Sequence, residues 1–210
     1  MTDRCPDTGT HGSACCAPSF EAAASELEAA AAALRAEGIA TDTVSADLAD
    51  VKAAPEVARQ AQAGGAGIDI LVNAAGVNLR QSFSDVTPEA WQTQIALHLG
   101  APFFLTQALA PGMAQRGWGR VINIGSLQSF RAFANSAPYG AGKGGVVQLT
   151  KSLAVGWAAD GIQVNAILPG WIDTALTRTA REQLPGLNER VIYRELFPSG
   201  LTLIDKGHLG

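Results

Sequence analysis

Helical and strand-like patterns alternate from Phe20 to Leu168 and predict an α/β domain built on a parallel sheet. Three observations support this. Short apolar runs at 68–72, 121–124 and 163–168 have the length of strands. Longer helix-forming segments separate them. Each run also ends in residues suited to a ligand: Asn73, Ser126, and Pro169-Gly170. In a parallel sheet with right-handed crossovers those ends share one edge, which is where such sheets bind ligands.

Residues 1–18 show neither helical nor strand periodicity and read as an irregular tail. From Phe20 to Glu37 the chain is rich in alanine, leucine and glutamate and stops at Gly38, so it reads as a helix with a glycine cap. Phe20, Leu27 and Leu34 recur at sevens and predict a narrow buried face. Residues 39–46 alternate and contain β-branched side chains, which predicts a strand ended by Asp47-Leu48. A helix follows over 50–62, with Pro55 near its first turn. Residues 68–72 form a nearly continuous apolar run, as expected of a strand buried on both faces.

Thr87-Pro88-Glu89 has the order of a capping hydroxyl, a first-turn proline and a first-turn acid. The helix it opens runs to about Gln115, with a disturbance expected at 100–102. Residues 120–125 are the next strand. A helix from Pro138 to about Ala159 carries an apolar stripe of Val146, Leu149, Leu153 and Trp157, read as a core face. After the strand at 163–168 the signal fades, with a short helix over 176–188 and an irregular tail over 191–210. The core domain is thus 19–190.

With 210 residues, 47% apolar and 16% charged, the chain can bury a substantial core, and its composition excludes disorder. A net charge of −4 and no Lys/Arg cluster argue against a nucleic-acid partner. No apolar stretch approaches the ~18 residues of a membrane span. The first residues lack the apolar core of a secretory signal, so the cytoplasm is the expected location. Cys5, Cys15 and Cys16 lie in the first tail without metal-ligand spacing, so no metal site is expected.

The chemistry sits at Ser126, Tyr139 and Lys143. Tyr139 and Lys143 are four apart on a helix and share a face. A free phenol, with a pKa of about 10, transfers protons poorly at neutral pH. An ammonium beside it favours the phenolate and brings that pKa down. Ser126, at a strand's carboxyl end, can hold a substrate oxygen.

Asp47-Leu48, Asn73-Ala-Ala-Gly76, Ser126, Tyr139-x-x-x-Lys143 and Pro169-Gly170 with Thr174, in this order and spacing, resemble the short-chain dehydrogenase/reductase family from about Phe20 to Arg190. The resemblance implies a Rossmann-like, doubly wound sheet, NAD or NADP as cofactor, and hydride transfer between nicotinamide and an alcohol or carbonyl carbon. It gives Tyr139 the role of general acid or base. Lys143 would tune it and bond the nicotinamide ribose, and Ser126 would hold the substrate oxygen. Asp47 and Leu48 are placed at the adenine, and Asn73, Ala74 and Gly76 along the cofactor. Pro169, Gly170, Ile172 and Thr174 are placed around the nicotinamide. His98 aligns with an asparagine that holds a relay water in the family. It either keeps that relay or is a helix residue with a satisfied ring. A homodimer or homotetramer paired through the long helices is implied as well, with Gly144-Gly145 easing close approach.

The family opens with a strand and a glycine-rich phosphate turn on a helix N-terminus. Thr8-Gly9-Thr10-His11-Gly12 only superficially resembles that turn, so the first strand-helix-strand unit and the last strand are expected to be absent. A shifted reading frame or mis-set gene boundary would produce such ends. Two functions follow from these residues. One is an NAD(P)-dependent oxidoreductase of secondary alcohols and ketones, with 127–135 shaping the pocket and Arg131 a weak sign of an anionic substrate. The other is a non-catalytic relative with impaired dinucleotide binding, or an interaction protein using an open sheet edge.

Overall fold

A computed structural model describes residues 20–65, 67–170 and 172. The chain divides into two units, Met1–Thr41 and Asp42–Gly210.

The first unit contains helix α1, Phe20–Ala36. It ends as its sequence predicts. Gly38 takes a positive φ of 83°, and its N–H bonds the carbonyl of Arg35. The expected leucine face is corrected. Leu27 and Leu34 are 38% and 41% exposed, while Ala31, between them on the same face, is buried. The expected strand at 39–46 is not formed. Its alternating residues suit a pleated surface, but a strand exists only where a neighbour pairs with it. Thr41 instead makes local bonds. Its hydroxyl donates to the carbonyl of Ile39, and its own carbonyl accepts from Arg35 Nε.

In the second unit, Asp50 caps a 3-10 turn at Val51–Ala53 by accepting from the Lys52 N–H, and α2, Ala54–Ala61, continues it. The sheet has three parallel strands among the described residues, in the order β1 (Ile70–Asn73), β2 (Gly119–Ile124), β3 (Ile162–Ile167). Between β1 and β2 lie α3 (Pro88–Ile95), a π turn (Ala96–Gly100) and α4 (Ala101–Gln115). Between β2 and β3 lies α5 (Ala137–Trp157). Thr87 caps α3 as expected, its hydroxyl accepting from the Ala90 N–H. The disturbance expected at 100–102 falls just before it. Pro102 has no N–H to give the carbonyl four residues back, and the ladder widens so that the Ala101 N–H reaches Ala96.

The core forms on the face carrying Val121, Ile162 and Val164, against Leu109, Ala110 and Met113 of α4 and Leu153 of α5. Leu149 and Trp157 pack beside it, as the stripe on α5 predicts. The expectation that β1 is buried on both faces is corrected. Ile70 and Val72, which point away from that core, are 56% and 52% exposed. Apolar strand residues read the same whether or not a layer covers them. No helix among the described residues is long and apolar enough to cross a membrane. The tails, the helix expected over 176–188 and the glycine turn at 8–12 lie outside the described residues.

Candidate active site

Strand register brings the three chain ends together. Beyond the ladder, the Gly125 N–H donates to the Ile167 carbonyl and the Leu127 N–H to the Pro169 carbonyl. This zips the Ser126 loop to the Pro169-Gly170 loop. Ser126 then caps a short 3-10 turn. Its hydroxyl accepts from the Gln128 N–H, and the Ser129 hydroxyl accepts from the Ser126 N–H. Ser129 Oγ also donates to the Lys143 carbonyl at 2.7 Å, fixing the loop to α5. Ser129 was not singled out from the sequence, although Ser-x-x-Ser after a strand has the spacing of a reciprocal cap.

Tyr139 and Lys143 are both buried on α5. The Lys143 ammonium lies 5.8 Å from the Tyr139 ring centre. Burial raises the pKa of Tyr139 above the usual phenol value, with the Ser126 side chain pulling the other way. Desolvation prevails in this arrangement, and the lowering expected from Lys143 is not found. Lys143 Nζ donates to the Ile124 carbonyl at 2.6 Å, and burial brings its pKa down to about 8.

His98 lies on the π turn, 1% exposed, with its ring edge-on to Tyr139 at 4.9 Å. Nε2 is 2.6 Å from the Val77 carbonyl and 3.4 Å from the Val77 N–H. The shorter contact makes Nε2 the protonated nitrogen and leaves Nδ1 a bare acceptor. Nδ1 is buried without a partner among the described residues. Of the two readings of this histidine, neither is complete: half the ring is satisfied and half faces the site. Burial first, then the Lys143 charge, lowers the pKa of His98 to about 4, so the ring is neutral at pH 7. Gly76 and Gly142 make room for it. A Cβ on either would sit 2.7 Å or 2.9 Å from His98. The close approach expected of Gly144-Gly145 is likewise made within the chain at Gly145, where a Cβ would lie 3.2 Å from Leu99.

One cavity of about 370 Å³ joins Ala74, Gly76, His98, Ser126, Tyr139, Lys143, Pro169, Gly170 and Ile172. Leu48, Asn73 and Ala74 line a smaller neighbour of about 80 Å³. Asp47 lines neither. Its carboxylate accepts from the Ala49 N–H in a tight turn. Asn73 is turned inward. Its amide donates to Asn123 Oδ1 at 2.8 Å, and Asn123 donates to Thr150 Oγ1 at 2.9 Å. Thr174 lies outside the described residues.

Sequence reasoning found His98 in the cavity's second wall but missed Gln94, Asn78 and Arg80. Gln94 and His98, four apart, both reach the loop after Gly76, where Gln94 Oε1 accepts from the Leu79 N–H. That loop brings Asn78 and Arg80 to the cavity, while Leu127, Gln128 and Phe133 line it from the 127–135 segment, as expected. Phe130 and Arg131, expected there, are exposed outside the lining.

A dinucleotide's nicotinamide half suits this donor set. Two of the three Lys143 ammonium protons have no acceptor among the described residues and can serve a ribose diol. Among the described residues no cluster of His, Cys, Asp or Glu suits a metal ion.

The chain is 36% identical to nodulation protein G of Azospirillum brasilense over 169 residues, covering 80% of this chain and 67% of that one. It is 45% identical to the 2-dehydro-3-deoxy-D-gluconate 5-dehydrogenase of Bacillus subtilis over 133 residues, covering 63% and 51%. The crystal structure of a gluconate 5-dehydrogenase from Burkholderia cenocepacia, in complex with NADP and tartrate, superposes with a TM-score of 0.72 at 36% identity. That match covers 79% of this chain and 65% of that one. The chain thus spans about half to two thirds of the length of these relatives. A model described as ATPase MipZ matches 174–210, outside the described residues. The model described as short chain dehydrogenase matches 9–185, and on the extent of that match the chain belongs to the short chain dehydrogenase family.

Proposed function

We propose that this chain is an NAD(P)-dependent oxidoreductase that interconverts a secondary alcohol and a ketone. The observation that carries the reading is the meeting of Ser126, Tyr139 and Lys143 on one cavity. The relatives' names as dehydrogenases and reductases, and NADP or NAD in solved neighbours, support it. The bound nicotinamide supplies or accepts the hydride. Lys143 and Tyr139 would hold its ribose, with Pro169, Gly170 and Ile172 flanking the ring and Ala74 and Gly76 beside it. Cytoplasmic location and a homodimer or homotetramer belong to the same reading.

In reduction Tyr139 Oη gives its proton to the substrate oxygen, and in oxidation it takes that proton back. Ser126 Oγ donates a hydrogen bond to the same oxygen and holds it within reach of the phenol. The raised Tyr139 pKa keeps the phenol protonated and ready to donate. The positive charge of Lys143 steadies the phenolate left behind. Neutral His98 packs on the ring of Tyr139 and offers Nδ1 to a water between the site and the solvent.

Tyr139→Phe should lose about 10²- to 10⁴-fold in kcat on a ketone panel. Fluorescence titration with NADH and NADPH should show micromolar binding to the wild type. The reading fails if neither dinucleotide binds, or if wild type and variant turn over alike. Because Lys143 acts as the ammonium and its pKa is about 8, the reduction rate should fall as pH rises above that value. A pH-rate profile flat to pH 10 would remove Lys143 from the mechanism.

A further inference from the structure

We propose that the Lys143 amine condenses with small uncharged aldehydes to form an imine, with Tyr139 moving the protons, so that the cavity holds a covalent carbonyl-binding site apart from hydride transfer. The placement of Lys143 is unusual for a charge. The residue is 5% exposed, and among the described residues it makes no ion pair. A buried ammonium is ordinarily paired, because taking a charge out of water is costly. Here Nζ donates to a neutral acceptor, the Ile124 carbonyl, at 2.6 Å. No Asp or Glu is among the described residues that line the main cavity. The titratable groups that share it with Lys143 are His98 from the π turn, Tyr139 one turn earlier on α5 and Arg80 from the loop after Gly76. None of these is an anion at neutral pH, so none favours the ammonium. Burial brings the Lys143 pKa down to about 8, and at pH 7 about a tenth of the chains carry the neutral amine with its lone pair.

A desolvated lysine is the form in which this side chain acts as a nucleophile on carbonyl carbon. Nζ meets the cavity past Gly76, where an added Cβ would stand 3.7 Å from the nitrogen. Ile124, Leu127, Phe133 and Ile172 supply apolar surface for the body of an uncharged aldehyde. The step balances without an oxidant or a reductant. The Nζ lone pair attacks the aldehyde carbon, and the C–N bond forms as the carbonyl π pair moves to oxygen. Tyr139 Oη protonates that oxygen, and the phenolate takes a proton from the nitrogen, giving a carbinolamine. Tyr139 then protonates the hydroxyl, the C–O bond breaks, water leaves and the nitrogen lone pair closes the C=N bond. The phenolate takes the last nitrogen proton. Amine and aldehyde have become imine and water, and Tyr139 is restored. The raised pKa that keeps Tyr139 protonated suits it to both donations.

The full chain is pulsed with benzaldehyde, quenched with sodium borohydride and read by peptide mass mapping. Borohydride reduces each imine to a stable secondary amine on the lysine that formed it. An ordinary exposed lysine, with a pKa of about 10.4, holds about 200-fold less neutral amine at pH 7 than a group at 8. A less basic amine is also a weaker nucleophile, so Lys143 should carry about 10-fold more adduct than the exposed Lys52. Its yield should level off above about pH 8, where the amine is already neutral. In strong urea the preference for Lys143 should vanish, because it comes from burial. Tyr139→Phe should slow labelling of Lys143 at least 10-fold and leave Lys52 as it was. Equal labelling of Lys143 and Lys52, a Lys143 yield that climbs to pH 10, a preference that survives urea, or a Tyr139→Phe variant that labels Lys143 at the wild-type rate would each overturn the proposal. The wild-type readings decide the matter even where the variant fails to fold. The assay contains no dinucleotide. A negative result therefore leaves the oxidoreductase reading standing, and a chain that reduces no ketone but labels at Lys143 would sink that reading alone.

Discussion

Single residues decide how this site responds to acid. His98 is protonated at about pH 6.5 in an unfolded chain but resists a proton in the folded one until about pH 4. Between those values the unfolded state binds more protons, so stability falls as pH drops through the window and is unaffected by His98 above it. From pH 7 to 4.5 the loss should be about 2 to 3 kcal/mol. Urea denaturation of His98→Asn against wild type measures this, since the variant lacks the titration. Equal pH slopes for the two proteins would show that His98 is not the group responsible. Ser126, Tyr139 and Lys143 could be read from the sequence because their geometry is local: a strand end, and two positions one turn apart. Ser129, Gln94 and Arg80 could not, because each acts on a partner that only the fold brings near. Ser129 reaches Lys143, Gln94 reaches Leu79 and Arg80 reaches Ser136.

Among elements, α5 shows how one helix uses small residues in two ways. At Gly142 an added Cβ would sit 2.9 Å from His98 Cβ, an atom that cannot swing away, while at Gly156 it would meet nothing within 4 Å. Gly142→Ala should therefore cost about 1 to 2 kcal/mol, because overpacking outweighs the roughly 1 kcal/mol helix gain. Gly156→Ala should add about 0.5 to 1 kcal/mol. Thermal melts of the two variants test the pair, and shifts of the same sign would contradict the packing described. Helices with start signals, α3 above all, were legible because a cap is a local hydrogen bond. The strand expected at 39–46 was not, because pairing depends on a neighbour that the segment's own residues do not specify. The open face of β1 escaped the sequence for the same reason.

For the whole molecule, the buried chain from Asn73 through Asn123 to Thr150 ties β1, β2 and α5 at their cores. These residues are 50 and 27 apart in sequence, so no stretch of local pattern announces them. Breaking the chain at one link leaves a buried amide unpaired, a cost of about 1 to 3 kcal/mol. The sheet and its helix are thereby made into a single opening unit. In native-state hydrogen exchange the amides of β2 and of mid-α5 should report one common opening free energy, close to that of global unfolding. Asn123→Leu should separate them, so that α5 exchanges through a cheaper local route than β2. The parallel sheet would then come apart in stages, and the two catalytic groups on α5 would spend measurable time away from the serine they serve.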